Sequence, residues 1–273
     1  MELSKSVASV ILTGSYTKLK RTGNEGNVWW VGSGVALNSL GMPNGGEEYL
    51  KDTLRLMVQV AHDAGKSLIV NVAGFNAGEY AELTETALEH GADGVELNLG
   101  CPNVVTGDNE RKPIPSYSED VFAEILETVS LVCDDTTVIW IKVSPNPMGD
   151  MIKRLAARVA RHKCVKAVTA INTFPNCYAL GPGGKPRITV GLAGMSGAAL
   201  KTVGLGQVLQ WRQALPLRTK VIGVGGIRTG QDIDDYAKVG ADAFQVTTEL
   251  LKSGTLDAHV LGTMVREYDE LAA

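Results

Sequence analysis

A chain of 273 residues, 44% of them hydrophobic, can build a full globular core, and a formal net charge of −4 argues against a nucleic-acid surface as its main business. No apolar run approaches the roughly 18–20 residues of a membrane span and no signal peptide opens the chain, so a cytoplasmic protein with neither membrane nor nucleic-acid partners is expected. Cys101, Cys133, Cys164 and Cys177 show no CxxC pairing or zinc-ligand spacing, which suits a reducing compartment and gives no expectation of a metal.

Residues 2–9 have helical character and 10–13 read as a short strand ending at Gly14-Ser15. A polar loop, 17–27, leads to a Val- and Trp-rich stretch, 28–37, expected as a strand pair over the mouth of the fold, and then to the turn-rich segment 38–46. Residues 47–64 carry Leu50, Leu54, Met57, Val58 and Ala61 at helical spacing. A rhythm then sets in: strands at 67–73, 94–99, 138–143, 167–171, 220–223 and 243–246, followed by helices at 77–90, 118–133, 148–162, 198–215, 230–239 and about 257–271. Nearly continuous apolar strands alternating with helices mean a parallel sheet. With 10–13 included the count is seven, one short of a closed (β/α)₈ TIM barrel, and because the chain opens on a helical segment the first strand is the one expected to be missing. No linker divides the chain, so residues 1–273 are expected as one domain.

In such folds chemistry gathers where strands end. The strand at 94–99 contains Glu96 and Asn98, and burying either costs about 1–3 kcal/mol unless partners wait for it. Cys101, Pro102 and Asn103 follow at once, opening a loop to Pro115. Lys142 sits inside an apolar strand, where it points either into the barrel mouth or out between helices. Asn172-Thr173 end another strand. Gly223-Val-Gly-Gly226, with Thr247-Thr248 after the next strand, occupy the position where barrels cradle phosphate on backbone N–H groups, and Gly191 to Gly197 make a third glycine turn. Cys101 at a strand end suits a nucleophile or proton carrier, whereas His62, His90, His162 and His259 all fall in or near helices, which disfavours a Cys-His hydrolase.

Taken together, Asn38-Ser-Leu-Gly-Met-Pro-Asn44, Glu96-Leu-Asn-Leu-Gly-Cys-Pro-Asn103, Ile141-Lys-Val-Ser-Pro145, Ala170-Ile-Asn-Thr173, Gly191-Leu-Ala-Gly-Met-Ser-Gly197 and Val221 to Gln231 resemble, in order and over nearly the whole chain, the soluble class 1 dihydroorotate dehydrogenases. The resemblance implies an FMN-binding barrel that oxidises dihydroorotate to orotate in pyrimidine biosynthesis. Cys101 matches the family's catalytic base, which takes a proton from the ring carbon while the adjacent carbon gives a hydride to flavin. Asn38, Asn98, Asn103, Asn172 and Thr173 match substrate-binding positions. Lys142 matches the lysine at the flavin pyrimidine edge, and Gly197, Gly225, Gly226, Thr247 and Thr248 match the turns that hold FMN. The loop from Pro102 to Pro115 matches a lid, and a homodimer follows by family analogy.

Two departures stand against this pattern. The family's first strand, carrying Asn-Ala-Ser-Gly, has no counterpart, and Thr13-Gly14-Ser15 replaces a Thr-Lys-Ser segment whose lysine meets flavin and the substrate carboxylate. A related flavin enzyme acting on another dihydropyrimidine, dihydrouracil or the dihydrouridine of tRNA, is therefore the alternative, as is a barrel that has lost flavin and serves as a binding protein. The electron acceptor leaves no mark in the sequence.

Overall fold

The computed structural model describes residues 2–101, 113–251 and 254–272. Seven parallel strands, β1 (Val10–Leu12), β4 (Ser67–Val72), β5 (Gly94–Asn98), β6 (Ile139–Val143), β7 (Val165–Ala170), β10 (Lys220–Val224) and β11 (Ala243–Gln245), form one sheet in that order. A second sheet has the order β2 (Trp29–Val31), β3 (Ala36–Asn38), β9 (Ala193–Ser196), β8 (Phe174–Cys177), all antiparallel. The expected strand pair at 28–37 is thus half of a four-stranded sheet, completed by two strands from segments that the sequence reads only as a loop and a glycine turn.

Helices α1 (Gly46–Asp63), α2 (Ala77–Glu89), α3 (Glu119–Ser130), α4 (Gly149–Val159), α5 (Lys201–Ala214), α6 (Gly230–Lys238) and α7 (His259–Ala272) alternate with the strands. On α1, Leu50, Leu54, Val58 and Ala61 are buried as the spacing predicts. Several helices are capped where the preceding strand's loop delivers a short polar side chain. Asn76 accepts from Glu79 N at 2.9 Å, Ser118 accepts from Val121 N at 3.4 Å, and Thr229 closes a capping box with Asp232.

The helix expected at 2–9 is instead a single turn, Leu3–Lys5, with no buried residue. Ser6 ends it: its hydroxyl donates to Leu3 O at 2.7 Å and accepts from Ala8 N at 3.3 Å, so a side chain takes over bonds that a helix would need.

The main sheet is strongly curled. Between β5 and β11 lie four ladder steps, about 19 Å in a flat sheet at roughly 4.8 Å per step. Yet Gln245 Nε2 on β11 donates to Glu96 Oε2 on β5 at 2.8 Å, a contact only a sheet bent back on itself allows. On β6 the outward Ile139, Ile141 and Val143 are buried against helices, while the inward Trp140 and Lys142 are partly exposed. The core cluster extends from Tyr16 to Met264.

Candidate active site

Inward-facing positions on adjacent strands share a level, and here that level is polar. Asn71 on β4 is register partner of Glu96 on β5; one step up, Asn98 partners Lys142 on β6, which partners Thr169 on β7. Because side chains alternate across a strand, Glu96 and Asn98 both face inward. Lys142 therefore points into the curl and not between the helices.

Glu96 is fully buried, and its carboxylate accepts from Asn71 Nδ2 at 2.7 Å, Thr169 Oγ1 at 2.7 Å and Gln245 Nε2 at 2.8 Å. Lys142 Nζ lies 4.0 Å from Glu96 Oε1 and donates to Gln245 Oε1 at 3.1 Å. Such partners are what a buried carboxylate requires.

From this carboxylate a chain of hydrogen bonds runs toward the strand ends. Asn71 Oδ1 accepts from Ser15 Oγ at 2.6 Å, Ser15 Oγ accepts from Asn98 Nδ2 at 2.9 Å, and Asn98 Oδ1 accepts from Asn172 Nδ2 at 3.0 Å. An ionised carboxylate only accepts, so Asn71 must turn its NH₂ toward Glu96, and each amide beyond it is fixed in turn. Asn172 Oδ1 is taken by Thr173 N at 2.8 Å. The outer end of the chain accordingly offers amide N–H donors to whatever binds beyond Asn98 and Asn172.

Cys101 stands three residues past Asn98. The path between them is tight: a Cβ on Gly100 would lie 2.6 Å from Ser144 N, so only glycine passes β6 here. The Cys101 side chain is partly buried and packs against Met42 and Ala73. It also neighbours Tyr80, whose phenol is pushed up first by burial and then by Cys101, and donates to Asn98 O at 2.8 Å. Among the described residues no hydrogen bond joins a histidine to Cys101: His62 bonds Asp93, His90 its own helix, His162 Ser130, and His259 lies on α7.

A second cluster lies at the ends of β10 and β11. Gly225 and Gly226 have φ of +125° and +71°, and a Cβ on Gly226 would fall 2.8 Å from Lys201 N and 2.9 Å from Gly197 O, so the turns after β9 and β10 touch. Tyr236 Oη donates to Gly225 O at 2.7 Å and Thr248 Oγ1 to Ser196 Oγ at 3.0 Å. Among the described residues, none accepts a hydrogen bond from the backbone N–H of Gly225, Gly226 or Thr247. Behind the turn, Lys201 Nζ bridges Asp232 at 2.6 Å and Asp235 at 2.5 Å, tying α5 to α6.

The structure thus brings Asn98, Lys142, Asn172 and Thr173 together, and separately Gly197, Gly225, Gly226 and Thr248, with Thr247 exposed beside them. Asn38 lies on β3 of the second sheet, its Nδ2 3.5 Å from Gly194 O, and Met42, further along the same segment, packs with Cys101. Asn103 and residues 102–112 of the expected lid lie outside the described residues. Sequence reasoning missed Asn71, Thr169 and Gln245. The signal for Asn71 was available, since a lone amide in the apolar strand 67–72 repeats the anomaly of Glu96.

A curled parallel sheet of seven strands with helices on its outer face, and polar groups with glycine turns at the strand ends, defines an α/β fold of TIM-like type. The family model for dihydroorotate dehydrogenase matches residues 1–265, and the chain belongs to that family of flavin oxidoreductases. Similar proteins include dihydroorotate dehydrogenase B (NAD(+)), catalytic subunit, of Methanopyrus kandleri, 31% identical over 253 residues, covering 88% of this chain and 74% of the relative. The same-named protein of Solidesulfovibrio magneticus is 34% identical over 215 residues (78% and 65%), and that of Staphylococcus carnosus 29% over 274 (97% and 83%). Among the described residues no helix is long and apolar enough to cross a membrane.

Proposed function

We propose that this chain oxidises dihydroorotate to orotate with FMN at the strand-end site. The observation that carries the reading is the convergence of Lys142, Asn98 and Asn172 on one hydrogen-bonded network, with a partly exposed cysteine three residues past Asn98. The donor set supports the cofactor: an ammonium among amides suits the electron-rich edge of a flavin ring, and the unengaged N–H groups of Gly225, Gly226 and Thr247 suit its phosphate. Bound there, FMN supplies the hydride acceptor.

The chain's own groups do the rest. Cys101 Sγ, as the thiolate, takes the proton from the ring carbon; a cysteine thiol is acidic enough to supply that form near neutral pH, where serine would need stronger activation. Asn98 and Asn172, oriented by the relay from Glu96, donate to the substrate's oxygens, joined by Asn38, Asn103 and Thr173. Lys142 keeps a fixed positive charge where negative charge develops. Gly197 and Thr248 complete the phosphate turn. In this reading residues 1–273 form one barrel domain, the place of the first strand lies between β1 and β11, and the protein works in the cytoplasm as a homodimer. The relatives' name, catalytic subunit, supports a further partner subunit.

One observation favours a second substrate. A Cβ on Gly14 meets nothing within 4 Å, so the position of the family's lysine is open space, and Lys18 is held by Glu47 and Glu82 at 2.6 Å each. A dihydropyrimidine without a carboxylate needs no cation there, and equal turnover of dihydrouracil and dihydroorotate would establish it. The primary test is the visible spectrum of the purified protein with and without added FMN, followed by anaerobic dihydroorotate. Flavin bands that bleach support the proposal; protein that stays colourless in excess FMN sinks it.

A further inference from the structure

Among the described residues, Gln245 is the one side chain that hydrogen-bonds to both members of the buried pair at the heart of the site. Its Nε2 donates to Glu96 Oε2 at 2.8 Å while its Oε1 accepts from Lys142 Nζ at 3.1 Å. The orientation of the amide is forced, because the flipped form would set oxygen against carboxylate and NH₂ against ammonium. Lys142 and Glu96 are then 4.0 Å apart, about 1 Å longer than a direct charge-assisted hydrogen bond. Both are shielded, with the Lys142 side chain 15% exposed and Glu96 at 0%, so little solvent competes for the ammonium. An ammonium has three donors, and among the described residues Lys142 has no acceptor beyond Gln245 and this distant carboxylate.

We propose that Gln245 is a positioning residue, a spacer that holds Lys142 off Glu96 so that the ammonium faces the strand ends with its charge available to the reduced cofactor. The physical reason is dielectric. In a shielded site a contact ion pair presents a compact dipole whose field dies quickly, whereas an ammonium held off its counter-ion projects charge outward. The carboxylate is retained for a second purpose, because it fixes the amide relay to Asn98 and Asn172. Glu96 and Lys142 must then share one cavity without collapsing together, and a carboxamide is the side chain that bonds to both at once.

The inference rests on the flavin reading, and the experiment separates the two. In Gln245→Leu the spacer is gone: crystals of the protein without flavin should show Lys142 Nζ moved to about 3 Å from Glu96, and the FMN-loaded protein should have a more negative reduction potential. Glu96→Gln removes the counter-charge and should move the potential positive. An unmoved Nζ in Gln245→Leu, or a potential shift there toward positive values, overturns the spacer role. If Glu96→Gln does not fold, Gln245→Leu decides alone. If the parent binds no flavin, the proposed function falls, while the position of Nζ in Gln245→Leu still settles what Gln245 does.

Discussion

Gly226 and Gly183 have nearly the same backbone, φ +71° and φ +69°, in different surroundings. A Cβ at 183 meets nothing within 4 Å, whereas at 226 it meets two backbone atoms, Lys201 N at 2.8 Å and Gly197 O at 2.9 Å. Replacing each by alanine separates the cost of a left-handed backbone from the cost of crowding. The conformational cost is about 1–2 kcal/mol, reduced by about 0.4–1 kcal/mol because alanine also restricts the unfolded chain. Gly183→Ala should therefore lose roughly 1 kcal/mol. At 226 the obstructing atoms belong to the main chain and cannot rotate away, which adds about 1–3 kcal/mol of overpacking. At about 2.1 cal/mol/K per residue, 273 residues give an unfolding entropy near 0.6 kcal/mol/K, so each kcal/mol is about 2 °C in melting temperature. Melting curves should show a loss of about 2 °C for Gly183→Ala and about 4–8 °C for Gly226→Ala. FMN affinity, measured by fluorescence quenching, should fall only in Gly226→Ala. Equal losses in the two variants would refute the claim that the turns after β9 and β10 are locked against each other.

Replacing Cys101 with Ala should leave the flavin spectrum intact and lower dihydroorotate turnover by about 10²–10⁴, the range of a positioned acid-base group; unchanged turnover removes Cys101 as the base. Gly14→Lys enters open space, and if its ammonium reaches the substrate carboxylate the KM for dihydroorotate should fall tenfold or more, the equivalent of about 1.5–3 kcal/mol for a hydrogen bond to an ion. No change in KM would mean that the carboxylate binds elsewhere. Tyr236→Phe leaves the Gly225 carbonyl without its 2.7 Å donor and should cost about 1–3 kcal/mol, seen as a lower urea midpoint. For pH, burial pushes the Asp232 carboxyl up, but Lys201 and the Arg228 backbone N–H outweigh it, and Lys201 and Gln231 hold Asp235 down. Both carboxyls thus lie below their unfolded value of about 3.9, so their stabilisation is present above that pH and is lost as pH falls through the folded values. Lys201→Met should flatten this acid limb in urea titrations, and an unaltered limb would exclude the cluster as its source.

The alternation of apolar strands with helices was legible in the sequence because burial on both faces leaves a run of Val, Ile and Leu that few other structures require. The polar residues at strand ends were legible for the opposite reason: Glu96, Asn98 and Lys142 contradict their surroundings, and a contradiction inside a buried strand demands a partner. What the sequence could not supply was the partner's identity. Gln245 is 149 residues from Glu96, and nothing local in Ala243 to Gln245 marks it, since only the curl of the sheet carries β11 back over β5. Strands β8 and β9 were hidden likewise, because segments of four residues have too few alternating positions to show a period. The direction of the relay from Asn172 to Glu96 was also closed to sequence reasoning. It depends on which amide end meets a carboxylate, and that is decided by register and distance in the folded sheet, not by residue type.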